Sequence, residues 1–218
     1  MHFIAILTGV KPTVNEFFKA DADAVEIVER EQCFSGFYRL DRLRLRHRQF
    51  SGAMGPLLSR ELFVRHDAAC VLPYDPQRDE VVLIEQFRVG ALGKRANPWL
   101  LELVAGLIER DEQPEQVARR EAAEEAGLTL GALWPITEYF PSPGGSDERV
   151  HLYLGRCDSS GAGGVHGLAE EGEDIRVHVL SFGAALQALK DGRLDNAAST
   201  IALQWLALNR DEVRSLWG

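Results

Sequence analysis

The sequence predicts an α/β fold in which helices sandwich a mixed sheet, preceded by a small antiparallel β unit. Two observations carry this expectation. From Ala68 onward, strand-like apolar runs interleave with helix-like stretches, the pattern of a layered α/β domain. Before residue 60 the chain shows strand-like patterning of a different kind, consistent with a small sheet of its own. The expected division is therefore 1–60 for the N-terminal antiparallel sheet and 61–218 for the main domain.

The elements follow in order. Residues 24–34 (AVEIVEREQCF) and 36–50 (GFYRLDRLRLRHRQF) read as strands. In the second, Leu40, Leu43 and Leu45 are interleaved with Asp41, Arg42, Arg44 and Arg46. The stretch from Ser51 to Pro56 reads as a turn, and Arg60 to His66 leads into another strand. Ala69 to Tyr74 is apolar, Asp75-Pro76 marks a turn, and Glu80 to Phe87 (EVVLIEQF) is a strong strand. Leu100 to Ala105 reads as one further strand, and more are expected near Trp134–Phe140, Val150–Arg156 and Ile175–Leu180. Phe182–Lys190 and Ala197–Asn209 read as helices, with Asp195, Asn196 and Ser199 as possible caps for the last.

Between Leu100–Ala105 and Trp134 lies the most informative helix. Pro114 suits a first turn, where a missing N–H costs nothing. Gly127 suits the position just past the end. Val117 to Ala126 contains no breaker and is rich in Ala, Glu and Arg, all good helix formers.

Composition narrows the function classes. The 218 residues suffice for a sizeable core. A net charge of −9 argues against a general nucleic-acid or anionic-membrane binder. A phosphorylated substrate remains compatible if cations bridge the two negative partners. Cys33, Cys70 and Cys157 show no C-x-x-C spacing, so reduced thiols are expected rather than a disulfide framework or zinc site. The apolar run His2–Leu7 is too short to span a bilayer and lacks the basic leader of a signal peptide. A soluble, cytoplasmic protein is the expectation.

Residues 106–128 read GLIERDEQPEQVARREAAEEAGL and match G-x5-E-x7-R-E-U-x-E-E-x-G-U, where U is apolar. Seven fixed residues at these offsets arise by chance in a chain this long less often than about one time in a million, at typical usage of roughly 6% per residue type. That register outweighs the ordinary reading of a charge run as a solvated helix face. Glu121 and Glu125 lie at i and i+4, side by side on a helix. Like charges so placed repel by roughly 0.2–0.5 kcal/mol in an isolated helix. A hard divalent cation such as Mg²⁺, which takes oxygen ligands from carboxylates and phosphates, would reverse that sign. Arg120 can hold a neighbouring carboxylate in place.

Three further stretches have both a plain and a functional reading. Asp158 to Asp174 is either a surface loop or a lid carrying Glu170, Glu171 or Glu173 toward the cation as a base. Ser142-Pro143-Gly144-Gly145 is either a tight turn or a wall for sugar and phosphate, with Glu148 accepting hydroxyl hydrogen bonds. Arg60, Arg65 and Arg88 are solvated or bind a diphosphate, and Phe37 and Tyr38 either pack or stack a base.

The 106–128 motif resembles the Nudix box, found in hydrolases that cleave nucleoside diphosphates linked to another group. The resemblance extends from about Lys11 to the C-terminus. Arg60-Glu61, Glu85-Gln86-Phe87-Arg88, Glu102 through Gly106, Ser142 through Gly145 with Glu148, His166-Gly167-Leu168, Glu173-Asp174-Ile175 and Asp195 through Ser199 together resemble bacterial ADP-ribose pyrophosphatases. The departures are Val104, where many relatives carry proline, and Ala122, where the box often has a bulkier aliphatic. The resemblance implies a Nudix-type α/β/α sandwich. It implies Mg²⁺, with Mn²⁺ as a possible substitute, held by the Ala105 carbonyl, Glu121, Glu125 and Glu173. It implies Glu171 as the catalytic base. It also implies a substrate site of Phe37, Tyr38, Arg60, Glu61, Arg65, Arg88, Ser142, Pro143, Gly144 and Glu148. The partners implied are a nucleoside diphosphate sugar and a second copy, in a homodimer with exchanged N-terminal sheets. The expected reaction is hydrolysis of ADP-ribose to AMP and ribose 5-phosphate. The alternatives are another nucleotide sugar such as GDP-mannose, or a non-catalytic nucleotide- or RNA-binding module. The latter typically lacks box carboxylates, all of which are present here.

Overall fold

In the computed structural model, residues 23–168, 170 and 172–218 are described. The apolar run His2–Leu7 and Glu171 therefore lie outside the described residues. The chain divides into two units between Phe63 and Val64.

The N-terminal unit is a three-stranded sheet in the order β1 (Val25–Ser35), β2 (Arg39–His47) and β3 (Leu58–Val64). β1 and β2 are antiparallel. The alternation on β2 buries Asp41 and Leu43 and turns Arg42, Arg44 and Arg46 outward. There the arginines pair across the strands with Glu31, Glu29 and Glu26. Asp41 is buried between Arg30 at 2.6 Å and Arg39 at 3.0 Å. Every residue of β1 is exposed, including Val25, Ile27 and Phe34.

The second unit is built on an eight-stranded mixed sheet. Its strands are β4 (Ala68–Asp75), β5 (Glu80–Phe87), β6 (Trp99–Glu102), β7 (Val104–Leu107), β8 (Leu133–Tyr139), β9 (Val150–Arg156), β10 (Val165–His166) and β11 (Ile175–Ser181). The order is β10-β11-β5-β4-β9-β8, with β6 beside β5 and β7 beside β4. β4 and β9 pair in parallel, and the other strand pairs described are antiparallel. The helices are α1 (Pro114–Ala126), α2 (Phe182–Lys190) and α3 (Ala197–Trp217).

Buried residues on β4 alternate between two cores, as strand geometry requires. Ala69 and Val71 pack with Val117, Ala118, Ala122 and Ala126 of α1. Cys70, Leu72 and Tyr74 pack with Phe182 and Ala185 of α2 and with Leu203, Leu206 and Trp217 of α3. The sheet is thus covered on both faces, the α/β sandwich that the sequence predicts.

Three elements differ from expectation. The single strand expected at Leu100–Ala105 is two strands broken at Leu103, because β6 pairs with β5 while β7 pairs with β4. The long polar stretch contains the short strand β10, which pairs with β11. The last helix does not stop at Asn209: it runs to Trp217, and Val213 and Trp217 continue its buried stripe. Its N-cap is Asn196, whose side chain accepts from Ser199 N–H at 3.0 Å.

Candidate active site

The parallel register of β4 and β9 sets Ala68 beside Val150, so the residues just before the two strands also meet. There Arg65 Nη1 lies 3.0 Å from Glu148 Oε2, and Arg65 N–H donates to Asp147 Oδ1 at 2.9 Å. Glu148 is buried, which pushes its carboxyl upward against the opposing pull of Arg65. Next in the sheet, β7 pairs with β4 so that Ala105 faces Cys70.

The acidic helix packs directly over this spot. Pro114 takes its first turn as expected, and Gln113 and Gln116 form a reciprocal cap. Gly127 ends it in the left-handed conformation, with φ of 64°. Glu125 is only 2% exposed, and its carboxylate accepts from Ala105 N–H at 3.0 Å. Burial pushes its pKa up to about 8; the Ala105 hydrogen bond opposes this, while Glu121 and Glu173 add to it. Burial likewise lifts Glu121 to about 7, with Arg120 opposing and Glu124 and Glu173 adding. Gly106, the first box glycine, lies in β7 where any Cβ would run into the carboxylate of Glu121.

Arg120 organises the rim of this cluster. It reaches Glu121 at 2.7 Å, Glu124 at 3.1 Å and Glu112 at 3.2 Å. This explains the first glutamate of the motif: Glu112 accepts Glu109 N–H and the Arg120 guanidinium, which hold its carboxyl below the usual range. Arg88, just after β5, donates to Glu102 on β6 at 2.6 Å. Below them, burial and the charges of Glu102, Glu148 and Glu125 push the Cys70 thiol up to about 12. One negative field thus joins residues from β4, β6, the segment before β9 and α1.

Among the described residues, no three His, Cys, Asp or Glu side chains converge in a ready-made cage. Glu125 faces Ala105, Glu121 faces Arg120, and Glu173 accepts from Leu168 N–H at 3.1 Å. These carboxylates still fit a hard divalent cation. The buried Glu125 and the half-buried Glu121, one turn apart, both resist ionisation, and a double positive charge is what would relieve them.

The expected substrate residues are gathered only in part. Arg65 and Glu148 form one pair. Arg88 pairs instead with Glu102, a residue given no separate role in the sequence reading. Ser142, Pro143 and Gly144 are exposed in a turn closed by Ser146 N–H donating to Ser142 O at 3.0 Å. Phe37, Tyr38, Arg60 and Glu61 belong to the N-terminal unit. There the Phe37 ring is 82% exposed and stacks edge-on to Tyr38 at 4.7 Å, while Arg60 donates to Ser59 O. Glu61 is exposed. Glu170 is exposed, and Glu173 is half-buried.

Comparison with known proteins places the chain in a family. The NUDIX domain model matches residues 64–203. The ADP-ribose pyrophosphatase of Escherichia coli K12 is 52% identical over 193 residues, covering 88% of this chain and 92% of that protein. That of Haemophilus influenzae is 43% identical over 196 residues, covering 88% and 90%. A GDP-mannose pyrophosphatase of Cronobacter sakazakii is 37% identical over 151 residues, covering 68% and 78%. A crystal structure of an ADP compounds hydrolase superposes with a TM-score of 0.66 at 17% identity, covering 91% of this chain and 98% of that one, which supports the fold. With Glu121, Glu124 and Glu125 on one helix and the domain model spanning most of the chain, this protein belongs to the NUDIX domain family.

Proposed function

We propose that the protein is a Mg²⁺-dependent ADP-ribose pyrophosphatase, able to use Mn²⁺ in place of Mg²⁺. The observation that carries the substrate is the 52% identity to the E. coli enzyme across 88% of the chain. The GDP-mannose pyrophosphatase of C. sakazakii is both less similar and matched over less of its length.

Glu121, Glu125, Glu173 and the Ala105 carbonyl would hold the cation. When bound, it would neutralise charge on the diphosphate and on the transition state. Arg65 and Arg88 orient phosphate oxygens, a task suited to the planar guanidinium fork. Glu148 accepts a hydroxyl of the substrate, and the Ser142–Gly144 turn lets the backbone approach it closely. Glu171 takes a proton from the attacking water. A new P–O bond forms, the bridging P–O bond breaks, and AMP and ribose 5-phosphate leave.

We assign residues 1–60 to dimerisation and to part of the substrate site, and residues 61–218 to catalysis. In support, β1 is an edge strand with Val25, Ile27 and Phe34 exposed, a surface that proteins ordinarily cover. A second copy covering it by sheet exchange would place Phe37, Tyr38, Arg60 and Glu61 at the partner's substrate. Sedimentation should then give twice the chain mass of 24.2 kDa, and a monomer would remove this part of the reading. No helix among the described residues is long and apolar enough to cross a membrane. The free thiols of Cys70 and Cys157 support a cytoplasmic location.

The test is a turnover panel of ADP-ribose, GDP-mannose, NADH and diadenosine polyphosphates in Mg²⁺. ADP-ribose should give the highest kcat/KM, with AMP and ribose 5-phosphate as products. Preference for GDP-mannose would reassign the substrate. Cleavage of none would favour a binding module.

A further inference from the structure

Gly127 does more than end the carboxylate helix. A left-handed cap explains glycine but tolerates asparagine. Here a Cβ would come within 2.8 Å of His166 Cε1, so the imidazole occupies the space that a side chain would need. On its other side, His166 Nε2 lies 2.8 Å from the Gly163 carbonyl. A carbonyl only accepts, so Nε2 donates.

The contacts continue along the chain. Gly167 N–H reaches the Glu124 carbonyl, in the last turn of α1, at 3.4 Å. Gly167 has φ of +102°, and a Cβ there would meet Glu173 Cβ at 2.7 Å. Glu173 N–H donates to the Leu168 carbonyl at 3.2 Å, and the Glu173 carboxylate accepts Leu168 N–H at 3.1 Å. Val177 N–H donates to Gly164 O at 3.0 Å, closing the base of the turn. A continuous series of contacts thus runs from Gly127 through His166, Gly167 and Leu168 to Glu173. At its far end, the charge of Glu173 acts on Glu121 and Glu125.

We propose that His166 is a positioning residue: wedged against the glycine cap of α1, it fixes the turn that holds Glu173, and so sets the affinity for the divalent cation that Glu173 would share with Glu121 and Glu125. This rests on the metal reading proposed above. His166 touches neither cation nor substrate; it acts through the backbone of residues 163–168. The second box glycine is then required from two sides, by the helix end and by the ring packed on it.

The test is direct Mn²⁺ binding to the full chain without substrate, followed by the paramagnetic resonance of free Mn²⁺. His166→Ala should weaken Mn²⁺ roughly 10-fold or more, as loss of an outer support typically does. The Mg²⁺ concentration for half-maximal turnover should rise in parallel, with a smaller loss of kcat at saturating Mg²⁺. His166→Gln retains an N–H donor for Gly163 and should recover most of the affinity. A role in packing alone would lower Tm and leave the Mn²⁺ affinity of the folded protein unchanged. Folded His166→Ala with wild-type Mn²⁺ affinity overturns the proposal. Should that variant fail to fold, Gly127→Ala displaces the ring from the opposite side and must weaken Mn²⁺ likewise; wild-type affinity there overturns it too. Wild-type protein that binds no Mn²⁺ would instead overturn the metal reading.

Discussion

Glu125 concentrates the problem that this site has to solve. It is buried, one helical turn from another acid, and the hydrogen bond it accepts from Ala105 N–H does not offset the cost of burying its charge. Glu125→Gln keeps the shape and removes the charge. In metal-free protein at pH 8 it should therefore raise the melting temperature. In saturating Mg²⁺ it should lower turnover on the order of 100-fold or more, as losses around a metal site do. Calorimetry and steady-state kinetics check the two halves, and near-wild-type turnover would remove Glu125 from the metal set. Such single residues were readable in the sequence because they belong to one helix, where spacing fixes direction. Glu112 and Gly106 were visible only as letters of the motif. Their reasons, a clamp on Arg120 and an approach to Glu121 too close for any Cβ, depend on contacts across a turn and between elements. Glu102 was harder still: its bond to Arg88 joins neighbouring strands off the direct register, which alternation cannot reveal.

Elements were legible where one periodicity ran uninterrupted. α1 followed its Pro and Gly signals to the residue. β6 and β7 did not, because an apolar run that changes partners midway looks like one strand. The end of α3 is not legible in the sequence, because polar residues from Asn209 to Glu212 hide a stripe that continues at Val213 and Trp217. The structure shows that this last turn and a half is part of the core. The Trp134 ring meets Trp205 at 5.7 Å and Trp217 at 6.3 Å, and the Trp217 carbonyl accepts from Gln77 Nε2 at 3.2 Å. Upstream, Arg210 pairs with Asp79, which also accepts from Tyr74 OH at 2.8 Å. Trp217→Ala should then cost about 3 kcal/mol, the lower end for a buried tryptophan, because its site is near the chain end. Urea unfolding measures this. A loss under about 0.5 kcal/mol, the usual range for surface changes, would mean that the helix frays before Trp217.

At the scale of the whole molecule, the carboxylates tie stability to pH and to metal together. Glu121 and Glu125 have folded pKa values of about 7 and about 8, above the ordinary carboxylate range. The folded state therefore binds protons that the unfolded chain has released. Their contribution is fully present below the unfolded pKa and is lost as pH rises through 7 to 8. Asp75 and Asp79 are shifted the other way, held low against burial by their hydrogen bonds. Their contribution is lost only as pH falls through the low folded values, so it does not enter this window. The thiols of Cys70 and Cys157, raised to about 12, weaken the fold only as pH approaches and passes the ordinary thiol value. Between pH 5 and 8 the slope thus belongs to the acidic helix together with Glu148, whose carboxyl burial also raises, reinforced by a net charge of −9. A divalent cation binds the ionised carboxylates and displaces their protons, and it stabilises by about 2.7 kcal/mol at 100 times its Kd. Metal and pH should therefore couple. The gap in melting temperature between Mg²⁺-saturated and chelator-treated protein should be small at pH 5 and widen steadily to pH 8. Differential scanning calorimetry at unit pH steps reads the gap directly. Glu121→Gln with Glu125→Gln should abolish the widening. A gap that stays constant from pH 5 to 8 would mean that the cation is not held by these two carboxylates.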